Sequence, residues 1–76
     1  MEELIEEVSA KVHEKWMETK RAQGVTSRRS EKDEELMVPY ADLSEAAKDL
    51  DRGSVRATIQ GLTDLGYAVV KLPVSR

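Results

Sequence analysis

Apolar side chains recur along the first third of the chain at Ile5, Val8, Val12 and Trp16, three and four residues apart. That period lines them on one face, and it predicts a helix over residues 2–22. Glu2, Glu3, Glu6 and Glu7 crowd its first turns and Lys20 and Arg21 its last, the polarity a helix dipole favours. Gly24 is the natural stop, because glycine enters the left-handed cap conformation at low cost. From Arg28 to Glu35 every position except Ser30 is charged, and the lack of apolar period reads as a solvated loop. Pro39 pushes Val38 toward extended backbone, and Tyr40 follows as an anchoring ring. Ser44 and Glu45 then open a short helix that turns Ala46, Ala47 and Leu50 inward. Asp51 is placed to cap a further helix, with Val55, Ile59 and Leu62 as its stripe and Gly66 as its end. Tyr67 to Leu72, apolar and β-branched, reads as a short strand before Pro73. The expected fold is mainly α. Two longer helices and a short helix, a charged loop and a short C-terminal β segment make a single domain over residues 1–76.

Length adds a constraint. A chain of 76 residues buries only roughly 60–65% of its unfolded surface, so its stability margin is thin. Folds of this size usually draw on disulfides, metals or self-association. The chain has no cysteine and one histidine, so neither a disulfide, a structural metal nor a cofactor is expected. A homodimer is the remaining route. The net charge of −3 is spread over both signs with no basic patch. That counts against nucleic-acid binding, whose affinity comes largely from phosphate neutralisation. Neither a signal peptide nor a membrane span is apparent, and a cytoplasmic protein is the expectation.

The candidate chemistry is recognition. There is no cysteine nucleophile, no glycine-rich phosphate loop and no serine in an evident nucleophile turn, so an enzyme is not expected. Trp16 is the sole tryptophan and there is no phenylalanine. A core anchor is the commoner role for such a ring, and a stacking platform is the functional one. His13 lies at i and i+3 from Trp16, close enough for the rings to touch. Tyr40 reads as a loop pinned to the core by its ring, with the hydroxyl reaching a polar partner. Arg52 stands near a helix start against the dipole. Its position calls for a partner, either a carboxylate of the N-terminal helix, which is the default, or a ligand phosphate. Gly61 costs a helix about 1 kcal/mol against alanine, which close packing on a bulky group such as Trp16, or simple tolerance, would explain.

Two resemblances follow. Leu43 to Ala47, with Ser54 to Tyr67 behind it, resembles the helix-turn-helix and wing of bacterial transcription regulators. Residues 54–65 would then be the recognition helix, with Arg56, Thr58 and Gln60 as its contacts. That scheme sits poorly with an acidic chain, and it leaves Trp16 and the Val38-Pro39-Tyr40 loop without a role. The second resemblance uses nearly the whole chain. His13-x-x-Trp16, Lys20-Arg21, Gln23-Gly24, Leu36-Met37-Val38-Pro39-Tyr40, Leu43, Asp51-Arg52, Val55, Leu62 and Leu65-Gly66-Tyr67 resemble the RyR domain. This is the repeat found in pairs in ryanodine receptor channels and in small bacterial and phage proteins. The resemblance implies a mainly helical, non-enzymatic module binding a ligand or a protein. It associates the Trp16 position with an adenine-nucleotide site between two repeats, which a single repeat could rebuild as a homodimer. Trp16, Tyr40, Arg52 and His13 are the ligand-binding candidates. Trp16 would stack, Arg52 would meet an anionic group, and Tyr40 would shape the pocket. The chain departs from the family at Val25, where an aromatic is common, and at Glu34-Glu35, near a usual His-Pro step. An acidic loop there would repel a polyanion.

Overall fold

The computed structural model describes residues 1–73. Helix α1 spans Glu2–Ala22, a single 3-10 turn spans Tyr40–Asp42, and helix α2 spans Glu45–Asp64. The fold is mainly α, as the apolar periods predict. Both helices end alike. At α1 the amides of Gly24 and Val25 donate to the carbonyls of Arg21 and Lys20, with Gly24 at φ +82. At α2 Gly66 and Tyr67 donate to Thr63 and Leu62, with Gly66 at φ +95. Both are Schellman caps, which satisfy carbonyls the helix leaves open.

The buried face of α1 differs from the expected stripe. Ile5, Ser9, His13 and Met17 face inward, while Val12 is 46% exposed and Trp16 is half-buried. Two polar residues can occupy the inner row because each carries its own hydrogen bond. The Ser9 hydroxyl donates to the Ile5 carbonyl at 2.6 Å, and His13 bonds the chain at Val38. Ser9 is fully buried, and its small side chain makes room on the inner face of α1. Ile5, Met17, Tyr40, Leu43 and Val55 supply the apolar core around it.

The short helix and the second helix of the sequence reading are one continuous element. Ser44 caps it, its hydroxyl oxygen accepting from the Ala47 amide at 3.2 Å. Asp51 is therefore an interior helical residue and not a cap. Gly53 alone costs too little, about 1 kcal/mol, to break a helix that tertiary contacts hold on both sides. The turn needed for a helix-turn-helix is accordingly not formed. Leu50 is 76% exposed and Leu62 39%, so neither belongs to the core, and Ala46 is exposed as well. Val55 carries the α2 side of the packing. A Cβ at Gly61 would meet nothing within 4 Å, so close packing does not explain that glycine.

Contacts between the helices run in opposite chain senses, from Glu2 with Arg56 through Glu6 with Arg52 to His13 with Asp51. Beyond Arg56, α2 continues past the start of α1, and its side chains there are mostly exposed. The C-terminal β segment is not formed. Residues 67–73 join no ladder among the described residues, and all are exposed. Strand propensity without a neighbouring edge leaves backbone groups to water.

The charged loop is more structured than its composition suggests. Leu36 donates to Arg28 and Ser30 to Glu34, around an antiparallel bridge of Arg29 with Glu35. Asp33 takes the turn at φ 61, a conformation aspartate tolerates better than most residues. The Glu35 carboxylate accepts from the Ser27 hydroxyl, from the Arg28 amide at 2.8 Å and from the Met37 amide at 3.0 Å. These bonds, Ser27 first, hold its pKa down to about 2.

Candidate functional site: an aromatic cleft and a separate carboxylate–arginine cluster

His13 and Trp16 stand together. Their rings stack with centroids 5.5 Å apart and planes 25° from parallel, because i and i+3 share a helix face. His13 Nε2 lies 2.7 Å from the Val38 carbonyl, an acceptor only, so Nε2 carries the hydrogen. Pro39 fixes the turn that presents this carbonyl, with φ −54 and ψ 146. The other ring nitrogen, Nδ1, faces the Asp51 carboxylate at 3.9 Å. Burial raises the pKa of Asp51, an effect that His13 partly offsets. The Tyr40 ring is tilted to the His13 ring, with centroids 6.3 Å apart.

A cleft of about 600 Å³ opens over these groups. Val12, His13 and Trp16 of α1 form one wall, and Leu43, Ala47, Leu50 and Asp51 form another. The hairpin closes it with Ser30, Glu31, Lys32, Glu34 and Leu36. The walls are apolar. Its polar groups are the His13 ring, the Asp51 carboxylate and Ser30, with a rim where Glu31 and Glu34 outnumber Lys32.

Arg52 and Tyr40 belong to a different cluster. The Arg52 guanidinium donates through Nε and Nη2 to both oxygens of Glu6, at 2.7 and 2.8 Å. Its Nη1 donates to Glu45 at 3.0 Å and Asp49 at 2.8 Å. The Tyr40 hydroxyl donates to Glu6 at 2.7 Å, and Lys48 sits 5.6 Å over the Tyr40 ring. Arg52 and then Tyr40 hold the Glu6 carboxyl down to about 2, and the arginine is itself pushed further upward. Burial and the Glu6 bond raise the tyrosine, and Arg52 lowers Glu45. All three guanidinium nitrogens are engaged by protein carboxylates, and Arg52 lines a second cleft of about 420 Å³ with Glu2, Glu3, Glu6 and Asp49.

The four candidate residues therefore fall into two pairs. His13 and Trp16 line the aromatic cleft, while Tyr40 and Arg52 meet through Glu6. Sequence reasoning missed Glu6 as the hub, Asp51 as a cleft residue and Glu35 as the organiser of the hairpin. For Glu6 a signal existed, since Arg52 demanded a carboxylate, but four glutamates in the first turns gave no means of choosing.

Two antiparallel helices packed through a small apolar core, with a hairpin folded over one end, define a class of small α-helical domain. The model of the RyR domain matches residues 1–71, and the chain belongs to that family. No curated protein matches it. Among the described residues no helix is long and apolar enough to cross a membrane.

Proposed function

We infer that this RyR domain is a non-enzymatic binding module whose Trp16 cleft takes a flat heteroaromatic group of the nucleobase type. The observation that carries this is the half-buried Trp16, backed by the His13 ring and facing an apolar cleft. Such a ring offers a stacking face on a rigid support. The Asp51 carboxylate adds an acceptor suited to the N–H edge of a base. The non-enzymatic reading is supported by the state of the single histidine, whose Nε2–H is committed to the Val38 carbonyl. The rim favours the nucleoside end of such a ligand over its phosphates. Glu31 and Glu34 outnumber Lys32 on the rim, Asp51 adds a further negative charge inside, and Arg52 is engaged elsewhere.

Trp16 fluorescence titrated with adenosine, adenosine monophosphate and adenosine triphosphate tests this. Quenching should saturate at the lowest concentration for adenosine and weaken with each phosphate. An unchanged spectrum with all three sinks the ligand reading, and tightest binding by the triphosphate sinks the rim argument.

A further inference from the structure

Among the described residues, an apolar tail segment at the C-terminal side of α2 stands exposed. Tyr67, Val70 and Leu72 are 65%, 71% and 74% exposed, and Val69 is 46% exposed. Lys71 stands among them. The molecule is also open for its length, with a radius of gyration of 14.5 Å against roughly 11 Å for a compact chain of this size. At the other end of α2 lies the Trp16 cleft, with apolar walls and an acidic rim. Tail and cleft are complementary in polarity and in charge, yet one chain cannot join its own two ends. From Leu50 at the cleft to Leu65 at the helix end, α2 extends ~22 Å. Seven residues, from Leu65 to Leu72, span at most ~25 Å when fully extended. Doubled straight back, the tail would bring only Leu72 level with Leu50, and Val70 would fall short of the cleft.

We propose that residues 67–72 of one chain lie in the Trp16 cleft of a second copy, and reciprocally, so that two copies clasp each other by exchanged tails. The proposal rests on the cleft being a recognition surface and names what occupies it when no small ligand does. In extended backbone Val70 and Leu72 share one face and Lys71 takes the other. Val70 and Leu72 then meet Val12, Trp16 and Leu50, and Lys71 comes out beside Glu31 and Glu34. Two reciprocal insertions double the area one tail would bury, toward the ~1,200 Å² where stable specific interfaces begin. The strand propensity of the tail, unused within one chain, finds its use between two.

The test uses the full chain in sedimentation equilibrium, with a disulfide trap beside it. Wild type should be a dimer. The double variant Val70→Asp/Leu72→Asp should keep the same far-UV circular dichroism, because both sites are exposed in one chain, and should dimerise at least about 100-fold more weakly. The chain has no cysteine, so introduced thiols report alone. Chains carrying Ala47→Cys mixed with chains carrying Val70→Cys should form a covalent heterodimer on mild oxidation. A monomeric wild type, a dimer indifferent to the double variant, or a disulfide formed only within one chain bearing both cysteines overturns the proposal. Adenosine titration of the monomeric double variant separates the two readings. Quenching there with no dimer in wild type leaves the ligand site standing alone, and a trapped dimer without quenching leaves the clasp alone.

Discussion

The carboxylate of Glu6 takes the Tyr40 hydroxyl and two nitrogens of Arg52, so one side chain of α1 fastens both the 3-10 turn and α2. Its pKa falls from an ordinary 4.5 to about 2, as does that of Glu35 in the hairpin. Both groups are depressed in the folded state, so their contribution is full above about 4.5 and is lost as pH falls toward 2. Thermal melts should therefore hold between pH 7 and 5 and drop steeply below 4.5. Glu6→Gln and Glu35→Gln should each flatten that drop, and a profile identical to wild type would remove the assignment. On the buried face of α1, Ser9→Leu should cost about 1–3 kcal/mol by overpacking, whereas Ile5→Ala should cost about 2–5 kcal/mol by leaving a cavity. Urea unfolding reads both. Residues whose role is local, such as Gly24 and Ser44, could be recognised from sequence because a cap depends on its own turn. Ser9 and His13 could not. Their burial depends on hydrogen bonds to Ile5 and Val38 that hydropathy does not register.

At the level of elements, the main difference between pattern and structure is the unbroken α2. An aspartate ahead of an apolar stripe is a good cap signal, but Ser44 had already started the helix, and the contacts of Glu6 with Arg52 and Glu2 with Arg56 hold it across that point. Removing the true cap with Ser44→Ala should cost about 1 kcal/mol. Gly61→Ala should stabilise by up to about 1 kcal/mol, since a methyl there meets nothing. Chemical denaturation of the two variants should show midpoints moving in opposite directions. A loss of stability in Gly61→Ala would mean that something packs on that position after all. The hairpin was hidden for the converse reason. A run of charges says water, and only the geometry shows Glu35 turned back on the amides of Arg28 and Met37.

For the whole molecule, the family fold could be read from the order of weak motifs, because each motif marks a cap, a turn or a packing position. The division of the candidate residues between two sites could not, since it depends on which carboxylates reach Arg52. Five apolar residues, Ile5, Met17, Tyr40, Leu43 and Val55, are buried in one chain among the described residues. If tails are exchanged, folding is coupled to association. The melting temperature should then rise by several degrees for each hundredfold increase in protein concentration, which differential scanning calorimetry over that range will read. The overhang of α2 has a mechanical meaning too. Past Arg56 most of the helix is exposed among the described residues, so its direction there is set largely by its own stiffness, with Gly61 partway along. A bend of about ten degrees over the nine residues from Arg56 to Leu65, ~13 Å of helix, moves the tip by ~2 Å. Amide exchange should therefore quicken progressively from Ala57 to Asp64, and the tail is carried on a compliant lever that can adjust its aim while the body of the domain stays fixed.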